Sequence, residues 1–289
     1  MMYFYLLLNM FFSAAITVGG RIYNNRTKNL SNVSILYTMI VPAFAALGWL
    51  ALWCFDFSFD AKVLPYSFLY GIGYSFFTVG ILGALRVGLT SLTALVKQMA
   101  LVGVSIWGFV FWDTQFTVLS GIGLVLIVVS LVLCLITKEK GPRSGNLLKW
   151  AFYAFLITVG NAGCAIIQRY QQMAFDYQHK NMFMFFGVLF AAGVCAVLSL
   201  KEDKTNWGKA WKASWPCLIF TGISSAATNV CMLLLVQLKM SPVILYPGVA
   251  VGGLMFTTLI ALVCFREKLR VMQWWGLGVG AVALVLLNL

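Results

Sequence analysis

Residues 91–97 read SLTALVK and residues 241–247 read SPVILYP, and the two stretches occupy corresponding places in the chain. They lie at an offset of 150 residues, and each precedes an apolar run, a short charged turn and a glycine-bearing apolar segment. The turns are WDTQ at 112–115 and FREK at 265–268, and the segments after them contain GIGLVL at 121–126 and GLGVGA at 276–281. This correspondence predicts two repeats, residues 1–138 and residues 146–289.

The composition is that of a helical membrane protein. Of the 289 residues, 62% are hydrophobic and only 10% are charged, and the mean hydropathy is +0.92. Soluble domains carry about 25% charged residues. Apolar runs of roughly 18 residues or more recur along the chain, and each can cross a hydrocarbon core about 30 Å thick.

Charged interruptions divide the apolar sequence into ten predicted transmembrane helices. Their expected ranges are 1–22, 31–55, 63–85, 89–111, 118–137, 147–174, 181–200, 213–237, 241–264 and 271–289. The predicted fold class is therefore an all-α integral membrane protein, with ten transmembrane helices arranged as two inverted five-helix repeats. The repeats are inverted because five is odd, so the second repeat must enter the membrane from the opposite side. Inverted repeats place a binding site at the midplane between the halves.

Lysine and arginine residues divide unevenly between the two sides of this predicted bundle. One side receives few of them, namely Lys62, Arg169, Lys180 and Lys239. The other side receives Arg21, Arg26, Lys28, Arg86, Lys138, Lys140, Arg143, Lys149, Lys201, Lys204, Lys209, Lys212, Arg266, Lys268 and Arg270. Loops rich in lysine and arginine lie in the cytoplasm. The count predicts a multi-pass protein of the plasma (inner) membrane with both termini outside the cytoplasm.

The stretch SPVILYPGVAVGGLMFTTLIALVCFREKLRVMQWWGLGVGA, at 241–281, resembles the end of an EamA-like repeat of the drug/metabolite transporter superfamily. The matching elements are two prolines, an apolar helix, a turn with a glutamate, and a helix that opens with glutamine and glycine: Pro242, Pro247, Glu267, Gln273 and Gly276. Together with the duplication, the resemblance covers essentially the whole chain. It implies a single compact bundle that moves small metabolites by alternating access, often as an exporter, and it implies no particular substrate.

The first repeat departs from this pattern at two positions. Lys97 stands where the second repeat has Pro247, and the short turn after the fourth predicted helix carries Asp113 rather than a glutamate. The charge count also departs from several family members, in which both termini are thought to lie in the cytoplasm.

Polar side chains recur every three or four residues in six predicted helices: the first, third, fourth, sixth, eighth and ninth. Such neighbours share one helix face, and a polar face is disfavoured against lipid, so we expect these six helices to enclose a polar interior. The candidate substrate-binding residues come from them: Asn9, Ser13, Thr17, Tyr70, Tyr74, Thr78, Thr93, Lys97, Asn161, Gln168, Thr228, Asn229 and Tyr246. For any single serine or threonine, the alternative is a hydrogen bond between packed helices.

Lys97 lies inside an apolar run, where a charged side chain costs about 2.5–3.5 kcal/mol on insertion scales. All eight acidic residues fall in predicted loops or at helix ends, and none is placed to neutralise it. Three states are open: an uncharged amine, an ammonium in a wet cavity among tyrosines and amides, or an ammonium paired with an anionic substrate. The last two together predict a substrate with a carboxylate or phosphate, such as an amino acid or organic acid. A structural role, snorkelling or capping carbonyls near Pro247, is the alternative.

The other functions considered are an exporter of amines or amphipathic drugs with an aromatic cage, and a non-transporting membrane enzyme or a channel. Lys97 opposes the first, and the absence of triad spacing or a filter-like loop opposes the second. We expect no catalytic residues, no cofactor and no metal ion, since the seven cysteines occur singly in apolar segments. The expected partners are a small-molecule substrate and the lipid bilayer, not nucleic acid, because the basic residues are scattered among short loops. A monomer or homodimer is expected.

Overall fold

The computed structural model of the protein describes residues 1–30, 33–87, 90–112, 114–135, 147–200, 202–265 and 271–287. Within these residues it contains ten α helices: α1 (Met2–Arg26), α2 (Ser34–Phe55), α3 (Leu64–Val87), α4 (Thr90–Phe111), α5 (Val118–Leu135), α6 (Leu147–Ala174), α7 (Lys180–Ser199), α8 (Trp207–Gln237), α9 (Pro242–Phe265) and α10 (Val271–Leu286). No described residue lies in a β strand. The predicted all-α class is therefore confirmed.

Seven of these helices are long and apolar enough to cross a membrane, namely α1, α2, α4, α6, α7, α8 and α9. In the described part of the chain, α5 and α10 are shorter apolar helices. α3 has 24 residues and is not among the seven. The chain is therefore a multi-pass helical membrane protein, and seven crossings follow from helix length and hydropathy alone.

The start of α8 differs from the predicted range. The eighth helix was expected to begin at residue 213, after an interfacial turn, but α8 begins at Trp207. The first turns of α8 are held against the rest of the bundle: Ala210 is fully buried, and the ring of Trp211 stacks on Phe44 of α2 at 6.5 Å. Packing of these side chains keeps the segment helical despite its lysines.

α1 and α8 run antiparallel. Asn9, near the start of α1, donates Nδ2 to the Thr228 carbonyl in the C-terminal half of α8 at 2.8 Å. Arg26, the last residue of α1, donates to the Ala213 carbonyl near the start of α8 at 3.1 Å. The two hydrogen bonds therefore link each end of α1 to the far end of α8.

α3 and α6 are also antiparallel, and glycines bring their backbones close together. A Cβ built on Gly73 would lie 3.2 Å from Cys164 Sγ, in the second half of α6. Gly83, near the end of α3, faces the ring of Tyr153 near the start of α6. Small residues at such contacts are typical of helices packed in membranes.

The remaining pairs follow one rule: an odd-numbered and an even-numbered helix run antiparallel, and two odd-numbered or two even-numbered helices run parallel. Antiparallel contacts join Leu52 with Asn181 (α2, α7), Ser105 with Pro242 (α4, α9) and Ser130 with Gly276 (α5, α10). Parallel contacts join Leu6 with Gly248 (α1, α9), Gly48 with Ala226 (α2, α8) and the α6 residue Arg169 with Trp112 just after α4. Direction thus alternates along the described helices.

This alternation gives the bundle two ends of different charge. The end where α1 finishes and α8 begins, called here the basic end, carries Arg21, Arg26, Lys28, Lys149, Lys204, Lys209 and Lys212 among the described residues. The basic end also carries Glu202 and Asp203, whereas the other end, called here the opposite end, carries Lys62, Arg169, Lys180 and Lys239 together with Asp56, Asp60 and Asp176. The described basic residues thus divide between the ends as the sequence predicts.

Candidate binding cavity

A cavity of about 190 Å³ lies in the interior of the bundle. Its described lining comes from six helices: α1, α3, α4, α6, α8 and α9. These are the six helices in which polar side chains recur at helical spacing. Nine of the thirteen candidate residues lie in the lining: Asn9, Ser13, Tyr70, Tyr74, Lys97, Asn161, Gln168, Thr228 and Asn229.

Four candidate residues do not line this cavity, and the prediction that they share it is corrected here. Thr17 is exposed, and its hydroxyl donates to the Ser13 carbonyl one turn earlier at 3.2 Å. Thr78 and Thr93 are buried between helices, with 7% and 3% of their surface exposed. Helical spacing places these residues on a face with other candidates but does not show how far along the helix the cavity extends.

Tyr246 is the fourth of these residues, and it lies beyond the cavity toward the opposite end. It is fully buried, and its hydroxyl donates to the Ala165 carbonyl of α6 at 3.4 Å. Its ring lies 6.3 Å from that of Trp112. Tyr246 therefore packs α9 against α4 and α6 instead of facing the cavity.

Lys97 is the only ionisable amine among the described lining residues, and no described lining residue is acidic. Its Nζ lies 5.8 Å from the centre of the Phe77 ring on α3, within cation–π range. Its carbonyl accepts a hydrogen bond from Asn161 Nδ2 at 2.8 Å. That bond ties the backbone of α4 to α6 at the level of the lysine, and so fixes where the ammonium enters the cavity.

Aromatic and amide groups form the wall contributed by α3 and α8. The Tyr70 hydroxyl donates to Asn229 Oδ1 at 3.4 Å, and the Tyr70 ring lies 6.3 Å from that of Tyr74. Asn229 Nδ2 in turn donates to the Ser225 carbonyl at 2.9 Å. These bonds hold the wall in place and leave an apolar ring surface beside polar atoms.

The amide side chains in the lining share one arrangement. Asn9, Asn161 and Asn229 each direct Nδ2 to a main-chain carbonyl, at 2.8, 2.8 and 2.9 Å respectively. Because only the nitrogen can donate to a carbonyl, these contacts also settle which way each amide points. Asn229 Oδ1 accepts from the Tyr70 hydroxyl, and the side-chain carbonyl oxygens of Asn9 and Asn161 are left as acceptors.

Side chains of α6, α9 and the turn after α4 pack together between the cavity and the opposite end of the bundle. Arg169 of α6 lies over the Trp112 ring at 4.8 Å and donates Nη1 to the Met240 carbonyl, just before α9, at 3.3 Å. The neighbouring Gln172 and Tyr246 are fully buried. Arg169 thus contacts both the turn after α4 and the residue that precedes the turn into α9.

Several lining residues were not selected from the sequence, including Gln98, Ser225 and Cys164. A signal existed for two of them: Gln98 adjoins Lys97, and Ser225 continues the polar face of Thr221 and Thr228. Cys164 was interpreted as a small core residue. The apolar lining, such as Phe77 and Val249, carries no sequence signal that separates it from ordinary packing.

The arrangement of the described side chains offers no metal-ligand cluster. Within the described ranges, no group of three or more histidine, cysteine, aspartate or glutamate side chains is arranged to hold a metal ion. The polar groups among the described lining residues are amides, hydroxyls, the Cys164 thiol and the Lys97 amine, which suit an organic or oxyanionic ligand.

No protein-family model and no curated protein matches this chain. The chain is similar to a solved structure described as "Crystal structure of protein", with a TM-score of 0.75. The two share 11% sequence identity, and the match covers 98% of this chain and 94% of that one. At this identity the likeness shows a shared fold over nearly the whole length of both chains.

Proposed function

We propose that the protein is a secondary transporter of the drug/metabolite transporter superfamily that carries a small anionic metabolite by alternating access. In this proposal all ten helices cross the plasma membrane, and the segments 1–138 and 146–289 are inverted EamA-like repeats. The substrate carries a carboxylate or phosphate that binds Lys97. The observation that carries the proposal is the side chain of Lys97 in an interior cavity whose described lining contains no acidic group.

The packing of the helices supports the inverted repeats. Helices five apart in the chain run in opposite directions, because direction alternates. Their contacts also correspond: α1 packs on α8 and α9 as α6 packs on α3 and α4, and α2 packs on α8 as α7 packs on α3. The pairs α2–α7, α4–α9 and α5–α10 join equivalent helices across the two halves. This is the pattern expected of two like units related by a two-fold axis in the membrane plane.

The electrostatics of the cavity support an anionic substrate. Lysine presents three N–H donors and a point charge, which suit a carboxylate or phosphate. In a water-poor interior an unpaired ammonium is costly, and a bound anion offsets that cost. A ligand cation would be repelled by Lys97, so the aromatic residues Tyr70, Tyr74 and Phe77 are better suited to covering the apolar part of an anion than to caging an amine.

The two ends of the cavity support an alternating-access mechanism. Toward the opposite end, Arg169, Trp112 and Tyr246 close the path. Toward the basic end, the face of α1 that carries Asn9 and Ser13 continues to the exposed Thr17. By the positive-inside rule the basic end is cytoplasmic, so this arrangement corresponds to an inward-facing state. Transport then requires the Arg169 contacts to part while the basic end closes.

The proposal is tested by counterflow in proteoliposomes. Purified protein is reconstituted with a panel of unlabelled carboxylates, phosphates, amines or neutral amides inside, and uptake of each labelled compound is followed. The proposal predicts saturable uptake of anions, accelerated by the same anion on the inside. Non-saturating uptake without such acceleration indicates a channel, and saturable uptake of amines alone contradicts the anion site.

A further inference from the structure

We infer that the transported anion also carries a hydrogen-bond donor, an N–H or O–H group, which binds carbonyl oxygens of amide side chains beside Lys97. This inference rests on the proposed function and narrows its substrate class to amino- or hydroxy-substituted anions. The residue that carries it is Asn161, which lines the cavity on α6.

The orientation of Asn161 is fixed by its own contact. Its Nδ2 donates to the Lys97 carbonyl at 2.8 Å. The amide therefore cannot be flipped without losing this bond, and Oδ1 remains an acceptor. Among the described residues, no donor is bonded to that oxygen. The amine of Lys97 and a free acceptor thus belong to two residues joined by one hydrogen bond, from the Asn161 side chain to the Lys97 main chain.

Gln168 repeats the arrangement two turns further along α6. It is 4% exposed, lines the cavity, and directs Nε2 to the sulfur of Met184 at 3.7 Å. Within the described ranges Oε1 accepts no hydrogen bond. Asn161 and Gln168 are seven residues apart, so they lie on the same face of the helix. Their carbonyl oxygens line one side of the cavity as acceptors.

Asn9 adds a buried acceptor on the facing wall. The residue has no exposed surface, and its Nδ2 donates to the Thr228 carbonyl at 2.8 Å. Its Oδ1 is buried without a hydrogen-bond partner among the described groups. Buried polar atoms left unpaired are uncommon in folded proteins, and each calls for an explanation. A donor on the bound substrate, reached as the cavity closes around it, supplies one.

Complementarity then distinguishes between classes of anion. A carboxylate without other polar groups brings only acceptors, so it satisfies Lys97 but faces Asn161 Oδ1 and Gln168 Oε1 with apolar atoms. An anion with a hydroxyl or amino group satisfies both the ammonium and an amide oxygen. Sites built to bond a substrate O–H or N–H discriminate against the analogue that lacks it, because the polar group of the site is left unpaired.

The test measures ligand-dependent thermal stability of the purified protein with matched carboxylic acids, all adjusted to the same pH, at which the amino members carry an ammonium group as the N–H donor. One set is propanoate, 2-hydroxypropanoate and 2-aminopropanoate, and the other is the corresponding set with a 3-phenyl group. We expect the hydroxy or amino member of at least one set to reach half-maximal stabilisation at a concentration about tenfold lower than the unsubstituted acid. The hydroxy and amino arms identify which donor the site prefers.

The variant Asn161→Leu separates binding from a structural role. We expect it to reduce the preference for the donor-bearing acid to about onefold, while stabilisation by anions that depends on Lys97 persists. The matched control is Asn181→Leu, which removes a hydrogen bond to the Leu52 carbonyl far from the cavity and leaves the preference unchanged. A lower melting temperature with an unchanged preference assigns Asn161 a purely structural role and overturns the inference.

The outcomes also separate this inference from the proposed function. If the wild-type protein shows equal half-maximal concentrations for all members of both sets, the donor inference is overturned but the anion site is not. This result does not depend on whether Asn161→Leu folds. The anion site is overturned, and the inference with it, by either of two results. One is that none of the six acids stabilises the wild-type protein, and the other is that the stabilisation persists unchanged in Lys97→Met.

Discussion

Lys97 has two functions in the cavity, one of its main chain and one of its side chain. The main chain of Lys97 holds α6 through Asn161, while its side chain places an ammonium beside Phe77. The cost of that charge in an apolar helix is about 2.5–3.5 kcal/mol. A residue needed only for packing would not incur this cost, since an apolar side chain would fill the same space.

The close approach of α3 and α6 depends on Gly160. We therefore expect alanine substitutions at two glycines of α6 to differ strongly in their effect on stability. A Cβ at Gly160 would lie 2.5 Å from the Gly73 carbonyl oxygen and would also meet the Phe77 backbone, whereas a Cβ at Gly163 meets nothing within 4 Å. Gly160→Ala is expected to destabilise the protein by about 1–3 kcal/mol. Gly163→Ala is expected to be neutral or stabilising by up to about 1 kcal/mol.

The measurement is the free energy of unfolding of the two variants in detergent or bicelles. Because both changes add the same methyl group to the same helix, the pair controls for helix propensity. Equal stabilities for Gly160→Ala and Gly163→Ala would contradict the close packing of α3 on α6.

At the residue scale the sequence predicted chemistry better than position. Lys97 could be identified because an ammonium inside an apolar run requires a reason. Thr17 and Thr78 could not be separated from Ser13 and Tyr74, because spacing shows which face a residue shares but not where along that face a cavity begins. The acceptor role of Asn161 depends on a contact between two helices, which no local pattern contains.

A cationic side chain, an indole ring and a main-chain carbonyl meet near one end of the cavity. Arg169, Trp112 and the Met240 carbonyl connect α6, the turn after α4 and the start of α9. The planar guanidinium both stacks on an indole and donates to a carbonyl, which lysine cannot reproduce. In an alternating-access cycle these contacts would open and close with each turnover.

Cys164, which lines the cavity, reports whether that end opens. We expect Arg169→Gln to increase labelling of Cys164 by a membrane-impermeant maleimide added outside intact cells, because the closing contacts are lost. Cys54 is exposed, so the experiment uses a Cys54→Ser background, and Cys164→Ser measures the remaining reaction. Labelling that is unchanged by Arg169→Gln would show that Arg169 does not close the path.

At the element scale, hydropathy predicted the existence of the helices and located most boundaries within a few residues. The start of α8 was placed too late, because Lys209 and Lys212 argue for a loop while the burial of Ala210 and the stacking of Trp211 keep the segment helical.

The alternation of helix direction organises the whole molecule. It places helices five apart in opposite senses and gathers most of the described basic residues at one end. The repeats predicted from SLTALVK and SPVILYP remain a prediction, but the corresponding packing of α1 and α6 agrees with them. The sequence could suggest this symmetry because both halves retain similar turns, whereas the interdigitation of the halves, α1 on α8 and α3 on α6, required coordinates.

The membrane orientation predicted from the charge of the two ends is tested by labelling loops. In the Cys54→Ser background, Asp60→Cys lies at the opposite end and Asp203→Cys lies at the basic end. We expect an impermeant maleimide added to intact cells to label Asp60→Cys at once and Asp203→Cys only after the membrane is permeabilised. The reverse pattern would place both termini in the cytoplasm and contradict the positive-inside count.

The account depends most on the ammonium of Lys97 as the anion site of a carrier. The most direct measurement is the exchange rate, in proteoliposomes, of the anion that stabilises the wild-type protein most strongly. Lys97→Met is compared with Lys97→Arg and with Lys62→Met, which removes an exposed charge at the opposite end. We predict that Lys97→Met lowers the rate at subsaturating anion by about 10- to 100-fold, since a charge-assisted hydrogen bond contributes about 1.5–3 kcal/mol. Lys97→Arg should retain part of the activity, and Lys62→Met should exchange at the wild-type rate. Wild-type exchange by a Lys97→Met protein that melts at the wild-type temperature would contradict the account.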